Sequence, residues 1–239
     1  MRRSLEESPE FERVKKRTSN SPFAEVLRTY PRQVLFGVGL VACTGAFNGL
    51  LFAYMPAYLK GVLNVEPGKA IVAQNVALFA HSFALLATAW LGSRILPRKL
   101  MITGTGLFTV LAIAWYEAIV RSGGDPMLPL VLGGIVAGMF NGTFAFLIAD
   151  LFPTRVRFTG IALVFNIGMT FFSGAAPLVA TALIRETGQL SSPGWFLMFA
   201  AAIGVAAAIL SKRCAGCVTR NTDDDAPPVT NEVPKAVNA

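Results

Sequence analysis

Between Gln33 and Leu210 the charged residues fall into short breaks and leave six apolar runs, at about 33–59, 70–91, 100–120, 127–151, 158–184 and 194–210. A hydrocarbon core of about 30 Å takes about 20 helical residues at roughly 1.5 Å each, so every run is close to spanning length or longer. The chain has 239 residues, 54% of them apolar and only 15% charged, with a mean hydropathy of +0.55. A soluble domain carries about a quarter charged residues. No aqueous core explains six such runs. The pattern predicts an all-α membrane protein with six transmembrane helices.

The pattern also repeats. Gly45-Ala46-Phe47-Asn48-Gly49 returns 93 positions later as Gly138-Met139-Phe140-Asn141-Gly142. Each pentad lies near the middle of an apolar run. The same shift lays the first three runs over the last three, predicting two three-helix repeats at 33–120 and 127–210. Three spans is an odd number, so the second repeat enters the membrane from the opposite side and the repeats are inverted. A polar amide at mid-depth in both repeats is the arrangement of a bundle that handles a solute inside the membrane.

The ends are different in kind. Residues 1–32 form a basic segment, with capping-box spacing at Ser4-Leu5-Glu6-Glu7 and an N-cap followed by proline at Ser21-Pro22. Phe23, Val26, Leu27 and Tyr30 share one face there, which predicts a surface helix. Residues 211–239 run through Asp223-Asp224-Asp225 and several prolines, the composition of a disordered tail. The first apolar run follows a charged segment and is too long for a signal-peptide core, so no cleaved leader is expected.

A pI near 9.7 raises the question of nucleic acid, but the placement of the basic residues answers it. With the N-terminus inside, 17 Lys and Arg are cytoplasmic and 4 are external. That bias predicts a multi-pass protein of the inner (cell) membrane with both termini cytoplasmic, whose solvent is the lipid bilayer. Tyr54, Tyr58, Trp115, Tyr116 and Trp195 fall at outer ends, and Tyr30 and Trp90 at inner ends, as an aromatic belt would.

Polar residues inside the spans mark the candidate substrate pathway. The first span has Thr44 and Asn48 one turn apart, the second Gln74 and His81 seven residues apart, the fourth Asn141, and the fifth Asn166, Thr170 and Ser173 at helical spacing. The third and sixth are nearly free of them, so they are expected to face lipid and the other four a cavity. Interhelical hydrogen bonding would account for any one amide; recurrence in equivalent helices favours a substrate or gating role for Asn48 and Asn141. His81 is the only histidine, and an ionisable group at that depth is a functional candidate. Gly134, Gly138 and Gly142 predict close helix approach. Pro56 and Pro177 would break their helices, and Pro177 is a candidate hinge. At the inner turn, Asp150 with Arg155 or Arg157 would form an ion pair suited to opening a mouth.

No enzyme signature accompanies these residues: there is no His-Glu-x-x-His, Gly-x-Ser-x-Gly or P-loop lysine, and neither a cofactor nor a metal site is expected. Cys214-x-x-Cys217 lacks a second ligand pair.

The run Asp150-Leu151-Phe152-Pro153-Thr154-Arg155-Val156-Arg157-Phe158-Thr159-Gly160, followed by Asn166 and Ser173-Gly174-Ala175-Ala176-Pro177, resembles a major facilitator superfamily transporter. It is most similar to the metabolite:proton symporters, which include proline/betaine, 2-oxoglutarate, citrate and shikimate permeases. Arg2-Arg3-Ser4-Leu5-Glu6-Glu7 resembles that family's central loop, and Tyr54-Met55-Pro56-Ala57-Tyr58-Leu59 its seventh helix. The family has twelve spans, so the resemblance implies the C-terminal six-helix half alone. It departs from the family in Ser93-Arg94-Ile95-Leu96-Pro97-Arg98-Lys99, where Ser93 stands for an acidic residue and Leu96 for a glycine.

The expectation is therefore transport of a small organic acid or zwitterionic osmolyte by proton symport. Asn48, Gln74, His81, Asn141 and Asn166 would form the pathway wall. A matching N-terminal half or a second copy is the expected partner, because no mid-depth carboxylate is present. The alternative is an inactive remnant or a regulatory membrane partner.

Overall fold

The computed structural model describes residues 22–92 and 96–216. The capping box at Ser4–Glu7, Ser21, the loop residues 93–95, Cys217 and the acidic tail lie outside them. The regular structure among the described residues is helical throughout. A short helix α1 (Pro22–Thr29) precedes six helices long and apolar enough to cross a membrane: α2 (Pro31–Val62), α3 (Pro67–Gly92), α4 (Pro97–Val120), α5 (Met127–Ala149), α6 (Arg157–Thr187) and α7 (Pro193–Arg213). Each of the six predicted spans is present, with every end within three residues of the predicted one. On α1, Val26 is buried while Phe23 and Leu27 stay exposed.

The helices are not uniform. In α2 the turns widen to π-helical hydrogen bonding over Gly49–Tyr54 and again over Tyr58–Val62, on either side of Pro56. In α6 the same widening occupies Met169–Gly174, just before Pro177. Proline has no N–H to offer the turn below it, and a wide turn is one way a helix absorbs the defect. α5 loosens at Gly142 and resumes as helix at Phe144.

Packing follows a pseudo-two-fold. α2 packs on α6 and α7, α5 packs on α3 and α4, and α4 packs on α7. Exchanging the first three spans with the last three maps every one of these pairs onto another, or onto itself. This is the inverted arrangement expected of half a major facilitator fold. Glycines set the closest approaches. A Cβ on Gly138 would stand 2.5 Å from that of Ala84, and one on Gly142 would meet Leu85 O at 2.7 Å. In the other pair, a Cβ on Gly49 would meet Ser173 O at 2.5 Å and Ala176 Cβ at 2.7 Å. Gly142 also touches Thr88. Ser173 thus answers to Leu85 and Ala176 to Thr88, so the second pair of spans is related by a shift of 88, not the 93 that relates the pentads. By that register His81 corresponds to Met169, and the histidine belongs to one repeat only.

The most exposed spans are α3 and α6, with 22% and 17% of their apolar windows buried, against 39% and 44% for α4 and α7, which cover each other and flank the central helices. One expectation is corrected: most of the aromatics expected to form a belt at the far helix ends are not on the lipid-facing surface. Tyr54, Tyr58, Trp115 and Tyr116 are buried and pack ring to ring, with Trp115 Nε1 donating to Pro129 O at 2.6 Å and Tyr58 Oη to Leu190 O at 2.7 Å. Tyr58 and Trp115 thus find partners for their polar tips inside the bundle, whereas Tyr116 Oη is buried without one. Trp90 and Trp195 remain exposed, as the belt predicts.

Candidate functional site

His81, Asn141 and Asn48 meet at mid-depth, where α3, α5 and α2 converge. The approach depends on Gly134: a Cβ there would sit 2.9 Å from Ala77 O and 3.3 Å from His81 Cβ. With no side chain at 134, His81 Nδ1 comes within 3.0 Å of Gly134 O. A carbonyl only accepts, so Nδ1 carries the hydrogen and Nε2 is a bare acceptor in this neutral imidazole. Asn141 Nδ2 lies 3.4 Å from His81 Nε2 and 3.4 Å from Asn48 Oδ1. An amide nitrogen has two hydrogens, and these are its two acceptors. Asn141 Oδ1, facing away, is buried without a hydrogen-bond partner.

Aromatic rings enclose the cluster. Phe47 lies 5.9 Å from the His81 ring and Phe52 6.3 Å, and Phe108 and Phe140 pack behind Phe47. His81 and Asn141 are buried, whereas Asn48 is half-buried and so the member reachable from the open face. A second polar crossing reinforces the α3–α5 contact two turns further on, where Thr88 Oγ1 donates to Gly138 O at 2.6 Å.

The other pathway candidates stand apart. Gln74 Nε2 donates to Leu51 O at 3.0 Å, in the first wide turn of α2. Met55 N–H is already committed to Leu50 O, and the next residue, Pro56, has no N–H. Gln74 therefore caps a carbonyl that the helix cannot serve. Asn166 is exposed on α6, and its Nδ2 donates to Ala162 O one turn back at 2.7 Å.

At the α5–α6 turn, Asp150 is buried, and its backbone carbonyl accepts from Gly216 N–H at 3.2 Å. Arg98 lies within electrostatic reach of Asp150, and its Nη1 donates to Ala208 O at 2.5 Å and Ser211 Oγ at 2.9 Å. Arg98 was not among the predicted gating residues, though its place in the loop motif was visible. Arg155 pairs with Glu25 of α1, and Arg157 Nε donates to Phe152 O at 3.1 Å. Pro177 follows the wide turn of α6 and has no N–H for Ser173 O, which accepts from Ala175 N–H instead.

Asn75 and Thr88 were also passed over. Asn75 is a polar residue beside Gln74 in an apolar run, on the exposed face of α3. A hydroxyl such as Thr88, among helix-compatible residues, gave no sequence signal of its cross-helix bond. Among the described residues no cluster of His, Cys, Asp or Glu is arranged to hold a metal. Two open concavities, one of about 360 Å³ beside Glu66, Lys69 and Asp125 and one of about 740 Å³ beside Glu117, Gln189 and Leu190, lie at the helix ends and are not lined by the buried cluster.

Over 87% of its length the chain is 30% identical to a citrate-proton symporter of Salmonella typhi, covering 48% of that protein. A citrate-proton symporter of Klebsiella pneumoniae is 29% identical over 87% of the chain and 47% of its own length. A Staphylococcus aureus (strain COL) protein named for proline/betaine transport is 27% identical over 85% and 45%. The chain resembles metabolite:proton symporters of the major facilitator superfamily. It spans about half the length of the curated relatives it matches. No family model and no solved structure matches it.

Proposed function

We propose that this chain is one six-helix half of a proton-coupled symporter for a small organic acid or a zwitterionic osmolyte, and that it completes its site against a second six-helix unit. The observation that carries the reading is the hydrogen-bonded His81–Asn141–Asn48 cluster, held at mid-depth by helices that glycines bring into contact. Hydrogen-bonding groups at the bilayer midplane, between repeats, are where secondary transporters hold their solutes. The relatives are named for citrate-proton and proline/betaine transport, which supports this substrate class.

In this reading Asn48 contacts the solute, Asn141 and His81 support it, and Asn166 lies on the face turned to the partner half. Asp150, Arg155, Arg157 and Pro177 work at the inner mouth and the α6 hinge. Both termini are cytoplasmic.

The second reading, an inactive remnant or regulatory partner, draws on Ser93 and Leu96, which replace the family's acidic residue and glycine. Co-expression with a matching half decides between them. Uptake of labelled citrate or glycine betaine, driven by an inward proton gradient and abolished by a protonophore, is the expected result. Absence of uptake across the panel, with both halves present in the membrane, favours the remnant.

A further inference from the structure

Three polar side chains from three helices form one chain of hydrogen bonds in which every donor runs outward from Asn141, while Asn141 Oδ1 has no donor of its own. We propose that His81 Nε2 is a proton-binding site, and that reversal of the Asn141 amide passes its occupancy to Asn48. The proposal deepens the transport reading and rests on it for its physiological role.

The steps follow from donor and acceptor counts. A proton taken up by the Nε2 lone pair leaves a cationic ring with N–H groups on both sides. Nδ1–H keeps Gly134 O, but Nε2–H now faces Asn141 Nδ2, and two donors repel. Rotating the Asn141 amide by half a turn brings Oδ1 into that position, where it accepts from Nε2–H, and moves the amide NH2 into the unpartnered position that Oδ1 leaves. Oδ1 then faces Asn48 Oδ1, two acceptors, so Asn48 turns over in its turn and donates from Nδ2. Its free edge, half-exposed toward the open face, changes from an N–H to a carbonyl oxygen. No bond other than N–H forms or breaks, and the proton leaves by the same nitrogen.

On α5, the described ionisable group is Asp150, at the α5–α6 turn. On α2 they are Arg32, Cys43, Tyr54, Tyr58 and Lys60, and on α4 Arg98, Lys99, Tyr116 and Glu117. The ring itself is buried, with Nδ1 on Gly134 O. Its own helix carries only Lys69, three turns away. The polar groups facing it are Gly134 O, Asn141 and, through Asn141, Asn48.

The chain has one histidine, which makes the test direct. The full chain in lipid nanodiscs, with ¹⁵N-labelled histidine and asparagine, should show Nδ1 protonated and Nε2 bare at high pH. On acidification Nε2 gains its proton, and the Asn48 amide signal, assigned by its loss in Asn48→Ser, moves with the same midpoint. In Asn141→Leu the midpoint falls by about one pH unit, because the cation loses its acceptor, and the Asn48 response disappears. His81→Gln keeps the size and hydrogen-bonding capacity of the site and should make Asn48 insensitive to pH. A neutral imidazole protonated at Nε2, or an Asn48 signal that ignores the titration, overturns the relay. Absent uptake with both halves present in the membrane, beside an intact titration, sinks the transport reading alone; uptake by the paired halves with a silent Asn48 sinks the relay alone.

Discussion

Gln74 Nε2 stands 3.0 Å from Leu51 O and supplies the hydrogen bond that Pro56 cannot. The wide turn of α2 hands Leu50 O to Met55, and the chain then reaches a residue without an N–H. A carbonyl left bare in hydrocarbon is costly, so an amide from the neighbouring helix takes its place.

Gln74→Leu should therefore destabilise the bundle by about 0.6–2 kcal/mol, the range of an interhelical hydrogen bond in a membrane. Pro56→Ala restores a backbone N–H at the missing position. The double variant should accordingly lose less than the sum of the singles, a coupling readable by thermal unfolding in detergent. Strictly additive losses would mean that the amide and the proline defect are unrelated.

The glycine seam makes a sharper contrast. Gly138→Ala places a Cβ 2.5 Å from that of Ala84, next to the Thr88–Gly138 hydrogen bond, while Gly106→Ala meets nothing within 4 Å. Overpacking of this kind costs about 1–3 kcal/mol. Gly138→Ala should lower the melting temperature and loosen α3 from α5, detected as a longer spin-label distance across that pair. Gly106→Ala should be neutral or slightly stabilising, since alanine favours the helix. Equal effects at both positions would refute the close-packing account.

How much of this was legible depends on which signal carried it. Six spans and their order follow from hydropathy, because the bilayer fixes length. The pentads announced Asn48 and Asn141, and a lone histidine in an apolar run drew attention to His81. That these three touch was not legible, since it requires the register between helices. Repeat arithmetic gave 93 for the pentads, but contacts relate α3 to α6 by 88, so sequence shift alone misplaces the second helix of each repeat. Gln74 shows the other limit: the proline it compensates was visible, but the wide turn that exposes Leu51 O was not. The outer tyrosines had the composition of a belt and turned out to be buried, because a ring at a helix end serves either surface and only packing chooses.

Orientation rests on the charge bias, 17 basic residues against 4. With the native cysteines replaced, Ser122→Cys in the α4–α5 turn should react with an impermeant thiol reagent added to intact cells. Thr154→Cys in the α5–α6 turn should react only after permeabilisation. The reverse pattern would invert the topology.

The exposed faces of α3 and α6 bear on whether the chain transports alone. Asn75 and Ser82 lie exposed on α3, and Asn166 and Thr170 on α6, among Phe79, Phe83 and Phe171. Asn166 satisfies one of its donors within its own helix, but its remaining polar atoms face hydrocarbon in an isolated bundle. The cost of bare amides there, up to several kcal/mol each, favours a second helical unit against this face. Alternating access also needs two bodies to rock around the site. Proteoliposomes containing only this polypeptide should therefore show no saturable uptake of labelled citrate or glycine betaine under a pH gradient, and adding the matching half should restore it. Replacing Asn75 and Asn166 with leucine should stabilise the isolated chain yet impair that restoration, since the same groups cannot suit lipid and a polar partner equally. Gradient-driven accumulation by this polypeptide alone would mean that two copies build the site, and that the exposed amides meet their own counterparts.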